Sequence, residues 1–335
     1  MKINKNINTK ISNKKLRTAK PLALLLAALL AMGALAGCGG ADSGAGTSGS
    51  ASSGAASGAS DFEPVRKTVF LEADGGGYYM AEAVYPHGME GEAPLVAIAH
   101  GFKGTLNSGG ASELAGRLAE AGIASIRMDF NPRVAASKNA EKTNSYDLAS
   151  MREAMLAGIE YMCEHYEIAE DHIGLYARSM GGRVVMNMAN ENAGGYDYKA
   201  LAMVAPAGNE GAMIYYVGGQ EKWDKMKAEA AEQGSIEFQG LNLTEDWFTE
   251  FEEYNPCDYG GKFGDKPVLV VANTLDHVVT EATSLECAAA YANSRVLTVT
   301  TDDDHGYEMG YDESDLKDEI MTEIVGFFSQ LVASN

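Results

Sequence analysis

The sequence has few residues of several kinds, and each scarcity excludes a class of protein. Its 335 residues include four cysteines, eight prolines and two tryptophans. Cysteines this sparse cannot form the disulfide framework of a small secreted scaffold, and no two have metal-ligand spacing. No segment recurs at a fixed period, which argues against a repeat architecture. A globular protein without repeats or a disulfide framework remains.

Positive charge is also scarce. There are 26 Lys and Arg against 47 Asp and Glu, a net charge of −21. Seven of the basic residues lie within residues 1–20, which contain no acidic residue, so removal of that segment leaves a net charge of −28. Such a surface repels nucleic acid and anionic lipid headgroups, so nucleic acid is not an expected partner.

The basic segment is followed by an export signal. Residues 22–36 form an unbroken run of apolar and small residues that ends in "LAGC" at 35–38. The run is shorter than the ~20 residues of a spanning helix, and a cleavage site of small residues follows it. "LAGC" resembles the lipobox of bacterial lipoproteins, which predicts a signal peptide at 1–37 and an acylated Cys38 that anchors the exported protein to the extracytoplasmic face of the cell membrane. The alternative is a plain secretory signal with an accidental cysteine.

Two further regions follow the signal. Residues 38–60 are rich in Gly, Ser and Ala, a composition that indicates a flexible tether. Residues 61–335 have the composition of a globular domain and suit one large α/β domain or two small ones. Three cysteines lie in this part, and the sequence does not decide whether any two of them form a disulfide: Cys163, Cys257 and Cys287.

The globular part alternates strand-like and helix-like segments. Two strand-like runs flank "DGGG" and predict an antiparallel hairpin. Near-continuous apolar runs, as in strands buried on both faces of a parallel sheet, occupy 94–100, 124–130, 172–177, 200–206, 267–273 and 295–301. Helical periodicity occupies 112–122, 147–166, 181–191, 284–293 and 315–332. The pattern predicts a doubly wound, mostly parallel α/β sheet, whose ligands bind beyond the carboxyl ends of the strands.

One insertion interrupts the alternation. Residues 208–264 contain helix-like pieces, no clear strand and both tryptophans. A long insertion between two sheet strands is usually functional, so we expect a helical cap over the active face, with Trp223 and Trp247 as candidate substrate contacts. The alternative is an ordinary packed excursion of the chain.

The stretch "YARSMGG" (176–182) carries the strongest chemical signal. It follows a predicted strand, opens a predicted helix, and is close to the G-x-S-x-G nucleophile elbow, with Ala177 at the first small position. Small residues are needed there because strand and helix approach closely around a strained turn. The pattern predicts Ser179 as a nucleophile and places the amide of Met180 at a helix N-terminus, where it can stabilise an oxyanion.

A base and a carboxylate follow in the expected order. Asp276 comes just after the 267–273 strand, and His305 comes just after the 295–301 strand. Ser, Asp, His is the chain order of the α/β-hydrolase triad, and three strand ends of one sheet can converge. Three neighbours of His305 could orient it in place of Asp276: Asp302, Asp303 and Asp304. His277 adjoins Asp276 too closely to serve as the base.

The segment "AIAHGFKG" (97–104) supplies the last part of the candidate site. A His-Gly pair after a strand often opens an oxyanion loop, so the amide of Phe102 is the expected second donor. We expect His100 to tie this loop by hydrogen bonds rather than to act in catalysis.

Residues 67–332 resemble the α/β-hydrolase superfamily. Within it, "AHGFKG", "IGLYARSMGGRVVM" and "APAG" are similar to bacterial cinnamoyl (feruloyl) esterases and related acyl esterases. The resemblance implies ester hydrolysis by Ser179, His305 and Asp276, with a small-molecule ester as substrate and no metal or organic cofactor. Many relatives have a Gly-rich turn where this chain has "MDFNPRVAAS", and the cap has diverged.

Three other functions stay open at this stage. A peptidase of the same fold uses the same triad, and a lipase acting on long chains would suit an apolar cap. A lipoprotein that binds a ligand without catalysis is an alternative of a different class, against which the intact triad argues.

Overall fold

The computed structural model describes residues 63–73, 77–130 and 147–333. The predicted hairpin is confirmed: β1 (Glu63–Ala73) and β2 (Gly77–His87) pair antiparallel over their whole length. The predicted signal peptide, Cys38, the tether and most of "MDFNPRVAAS" lie outside the described residues.

The remaining sheet strands are β3 (Ala93–Ala99), β4 (Ala124–Met128), β5 (Ile168–Arg178), β6 (Ala200–Val204), β9 (Val268–Asn273) and β10 (Ser294–Val299). The eight strands run in the order β1-β2-β4-β3-β5-β6-β9-β10. Pairing is parallel from β4 to β10 and antiparallel among β1, β2 and β4. Every residue of β3, β4, β6 and β9 is buried, as their continuous apolar sequences predict.

Helices cover both faces of this sheet, which confirms the doubly wound architecture. One core contains side chains of α1 (Ala111–Glu120) and α8 (Asp315–Phe328). The other contains side chains of α2 (Leu148–His165), α3 (Met180–Glu191) and α7 (Glu281–Ala289). A short helix, α9 (Gln330–Ala333), ends the described chain. Parallel pairing of β3, β5, β6, β9 and β10 brings the carboxyl ends of these strands to one edge, where the candidate site lies.

The segment between β6 and β9 packs its buried side chains into the same core as α2, α3 and α7. It contains α4 (Glu210–Val217), α5 (Gln220–Gln233), α6 (Glu245–Glu253) and a 3₁₀ segment (Pro256–Phe263). It also contains a hairpin of β7 (Ile236–Phe238) and β8 (Leu241–Leu243), although the sequence shows no clear strand there. Strands of three residues are too short to produce a visible alternation, which explains the difference. No helix in the described ranges has the length and apolar character needed to cross a membrane.

Candidate active site

Ser179 occupies a strained turn between β5 and α3. Its φ is 53° and its ψ is −127°, a conformation costly for any residue with a side chain. Surrounding backbone fixes the turn, because the Ser179 amide donates to Val204 O at 3.0 Å and the Ser179 carbonyl accepts from the Ala207 amide at 3.0 Å. Gly181 is required behind it, since a Cβ there would lie 2.5 Å from the carbonyl oxygen of His100. Core packing therefore holds Ser179 Oγ at the sheet edge.

The structure brings Ser179, His305 and Asp276 together in one hydrogen-bonded chain. His305 Nε2 lies 2.9 Å from Ser179 Oγ, and His305 Nδ1 lies 2.7 Å from Asp276 Oδ2. The imidazole can therefore accept the serine proton through Nε2 while Nδ1–H donates to the carboxylate. These are the distances that a serine nucleophile and its base require.

Asp276 is fixed independently of the histidine. Its side chain is fully buried, and its Oδ1 accepts from the amides of Val278 and Val279, each at 2.8 Å. The neighbouring aspartates have other positions. Asp303 accepts from the Glu308 amide at 2.7 Å, Asp304 accepts from the His277 amide at 2.6 Å, and Asp302 is exposed. Among the four carboxylates, Asp276 is the one placed to orient His305.

His100 ties the loop that follows β3. Its Nδ1–H donates to Gly101 O at 2.7 Å, and its Nε2 accepts from the Phe130 amide at 3.1 Å. Burial lowers the pKa of His100 to about 4, so the ring is neutral, as this pattern of one donor and one acceptor requires. The ring therefore has the loop-tying position expected of it.

The loop after β3 brings Phe102 close to Ser179. A Cβ on Gly101 would lie 2.9 Å from Ser179 Cβ, so only glycine allows the loop this close. Phe102 follows directly, and Met180 is the first residue of α3. The first amides of a helix lack intrahelical acceptors and attract negative charge. The two expected oxyanion donors thus belong to residues that adjoin Ser179 on different segments.

Three residues that the sequence analysis did not single out connect the loops of the site by hydrogen bonds: Arg178, Asn273 and Tyr307. Arg178 donates through Nη2 to the carbonyl oxygens of His305 and of Gly306, the latter at 2.8 Å. The Asn273 side chain donates to Thr301 O at 3.0 Å, and its backbone amide donates to Tyr307 Oη at 2.8 Å. Arg178 and Asn273 end strands β5 and β9, so their positions at strand ends were the available signal.

A cleft of about 340 Å³ opens beside Ser179 and His305. Its walls combine the loop after β3, the cap and the loop after β9. Apolar surface comes from Phe102 on the first, Met213 and Tyr216 on the second and Val278 on the third. The tip of the β7–β8 hairpin reaches this rim, because Gln239 Oε1 accepts from Lys103 Nζ and from Tyr216 Oη, each at 3.0 Å. The cap thus forms one side of the cleft.

The two tryptophans are not part of this cleft. Trp223 and Trp247 are fully buried, with ring centroids 5.2 Å apart, and they form the core of the cap with Phe248 and Phe251. Trp247 approaches the site only through Phe102, at 5.9 Å between ring centroids. The expectation that the indoles contact substrate is therefore corrected. Both indoles are buried between the inserted helices and do not line the cleft.

Solved structures with similar folds are α/β hydrolases and esterases. Est1E from Butyrivibrio proteoclasticus is 22% identical, with a TM-score of 0.60 over 79% of this chain and 99% of that chain. A second structure of it has ferulic acid bound, with 21% identity and a TM-score of 0.58 over the same shares. No protein-family model matches the chain, and no curated protein sequence matches it.

Two further neighbours extend the same picture. The α/β hydrolase GrgF from Penicillium sp. sh18 is 15% identical, with a TM-score of 0.58 over 80% of this chain and 99% of that chain. An acetyl xylan esterase from Paenibacillus sp. R4 is also 15% identical, with a TM-score of 0.55 over 79% of this chain and 87% of that chain. The chain has the α/β-hydrolase fold.

Proposed function

We propose that this protein is a serine ester hydrolase that transfers an acyl group to water through an acyl-enzyme at Ser179. One observation carries the proposal: a continuous hydrogen-bonded chain from Ser179 Oγ through His305 to the buried Asp276 carboxylate opens directly on a cleft. A structural serine has no need of a strained turn, a base and an oriented carboxylate together.

Each residue has one task in the proposed reaction. Ser179 Oγ attacks the ester carbonyl while His305 Nε2 takes its proton, and Asp276 stabilises the imidazolium that forms. The amides of Phe102 and Met180 donate to the oxyanion. His305 then protonates the departing alcohol and later removes a proton from the water that attacks the acyl-enzyme. Such acid–base assistance typically contributes 10²–10⁴-fold to rate.

The cleft favours small or aryl acyl esters. Its volume of about 340 Å³ is near the lower end of ligand pockets, which leaves little room for a long acyl chain. Two aromatic side chains, Phe102 and Tyr216, lie edge to face at 5.5 Å on its wall and offer contact to an aryl group. Ferulic acid is bound to the neighbour Est1E, and another neighbour is an acetyl xylan esterase, which supports the same two acyl classes.

The nucleophile is tested by labelling with a fluorophosphonate and measuring intact mass. We expect one adduct on the wild type and none on Ser179→Ala. Ser108→Ala removes another hydroxyl from the same cleft and should keep the adduct. An adduct on folded Ser179→Ala would refute the assignment, and a folded wild type without any adduct would favour the non-catalytic binding protein.

The substrate class is tested with a panel of acetyl, butyryl, octanoyl and feruloyl esters and matched anilides. We expect acetyl or feruloyl esters to give the highest kcat/KM. Faster turnover of the anilides would contradict the ester assignment in favour of a peptidase, and a preference for octanoyl would contradict the small or aryl acyl group.

We further propose that the enzyme is exported and anchored through an acylated Cys38. The apolar run and "LAGC" support this. Cys38→Ser should move the protein from the membrane to the soluble fraction. If its partitioning equals that of the wild type, the anchor lies elsewhere.

A further inference from the structure

Two thiols lie against each other at the base of the cap. Cys257 belongs to the 3₁₀ segment that ends the cap, and Cys287 belongs to α7. Their sulfur atoms are 3.5 Å apart, although the residues are 30 positions apart in the sequence. A disulfide would require the sulfurs to approach by only about 1.5 Å, which side-chain rotation can largely supply.

The same backbone segment flanks both sulfurs. A Cβ placed on Gly208 would collide with Cys287 Sγ and would lie 2.9 Å from Cys257 Sγ, and Cys287 Sγ lies 3.6 Å from Pro206 O. Gly208 begins the cap, and Cys257 lies close to its end. The thiols therefore sit where the inserted segment both leaves the sheet and returns to it.

The two thiols have different access and acidity. Cys287 is fully buried, whereas Cys257 is partly exposed. The hydrogen bond between them lowers the pKa of Cys257, with help from the Arg183 guanidinium and against burial and Glu286. The same hydrogen bond, together with burial, raises the pKa of Cys287. The accessible sulfur is thus also the one that forms a thiolate more readily.

We propose that Cys257 and Cys287 form a disulfide in the exported protein, by exchange with an oxidised thiol–disulfide oxidoreductase or a small-molecule disulfide. This rests on the proposed export and is independent of the ester-hydrolase activity.

The exchange proceeds in two steps. The Cys257 thiolate attacks one sulfur of the donor disulfide, breaks that bond and releases one donor thiolate, which leaves a mixed disulfide. Cys287 then loses its proton and attacks Cys257 Sγ, forming the internal bond and expelling the second donor thiolate. The two cysteines are oxidised, the donor disulfide is reduced by two electrons, and the two thiol protons pass to the two donor thiolates.

The bond would enclose part of the candidate active site. The cross-linked loop 257–287 contains β9 and Asp276, and the third cysteine of the described residues, Cys163, lies outside it on α2. Closing such a loop restricts the unfolded chain more than the folded one. We therefore expect oxidation to raise Tm and to leave ester turnover nearly unchanged, because the sulfurs are already in contact in the folded protein.

The experiment uses the full chain, reduced and then incubated with oxidised glutathione. Remaining thiols are blocked with N-ethylmaleimide, and peptides are mapped by mass without reduction, so that each cysteine is followed separately. We expect a linked peptide containing Cys257 and Cys287, an alkylated Cys163, and a Tm higher by roughly 5 °C or more. Cys163→Ser, the matched control, should give the same linked peptide and the same rise in Tm.

Variants separate the two thiols. Cys257→Ser should give no glutathione adduct on buried Cys287, and Cys287→Ser should stop at a mixed disulfide on Cys257. If Cys287→Ser does not fold, the wild-type peptide map alone decides the question. Alkylation of both thiols after oxidation, a link to Cys163, or a fall in Tm on oxidation would each overturn the proposal. Fluorophosphonate labelling of the same samples reports on Ser179 separately.

Discussion

The buried histidine that directly follows β3 leads to a quantitative prediction about acid stability. His100 is 4% exposed, and burial lowers its pKa from 6.5 to about 4. Between these two pH values, His100 therefore binds a proton in the unfolded chain but not in the folded protein. The stabilisation is fully present above pH 6.5 and is lost as the pH falls towards 4. The difference of 2.5 in pKa corresponds to about 3 kcal/mol of unfolding free energy.

Comparison with His100→Asn isolates this contribution, because every other titrating group is shared. The variant loses the hydrogen bond from the Phe130 amide and should be less stable at pH 7.5. As the pH falls to 4.5, the stability gap should narrow by about 2–3 kcal/mol, because only the wild type carries the buried histidine. Urea unfolding followed by fluorescence of the buried Trp223 and Trp247 measures both proteins.

A matched control removes a histidine without opening the core. His165 is exposed at the end of α2, so His165→Asn serves as the reference histidine substitution in the same urea series. A gap between wild type and His100→Asn that stays constant from pH 7.5 to 4.5, or that widens, would refute a neutral, buried His100.

Three further predictions concern the site and the cap. Asp276→Asn should lower kcat by roughly 10³–10⁴-fold with little change in Tm, because His305 Nδ1 loses its carboxylate partner; near-normal turnover in an ester assay would shift the role to a neighbouring aspartate. Gly181→Ala should cost about 2 kcal/mol or more in urea unfolding, since its Cβ would meet the rigid carbonyl of His100, and unchanged stability would contradict the tight elbow. Burial raises the pKa of Glu250 to about 7. The contribution of its protonated carboxyl to the free energy of unfolding is therefore fully present below pH 4.5 and is lost as the pH rises through 7. Glu250→Gln should therefore gain stability relative to wild type between pH 5 and 8, and a gap independent of pH would count against a buried neutral carboxyl.

The strands and the proximity of Ser179, Asp276 and His305 could be predicted because they depend on local sequence. Ser179 and Asp276 come soon after buried apolar strands, and His305 comes soon after β10, an edge strand that is mostly only partly buried. Parallel pairing then brings the three strand ends to one edge of the sheet. The order and the ends of the strands were therefore enough to predict that these three side chains lie close together.

The supporting network and the cap could not be predicted because they depend on tertiary packing. Arg178, Asn273 and Tyr307 act through hydrogen bonds between loops that are distant in the sequence, and no period or motif encodes those bonds. The aromatic content of the cap was visible, but which aromatics face the cleft depends on how its helices dock. Trp223 and Trp247 fill the space between those helices, and the cleft wall is formed instead by smaller side chains of α4.

The backbone angles of Ser179 place the demands of stability and of catalysis at this position in opposition. A conformation with φ of 53° and ψ of −127° suits glycine, so the residue that would fold best at this position has no hydroxyl. Selection for stability alone would therefore favour glycine at position 179, and under the proposed function it is selection for catalysis that keeps the serine. Random mutagenesis screened first for thermal resistance and only then for activity should recover Ser179→Gly among its heat-resistant, inactive variants.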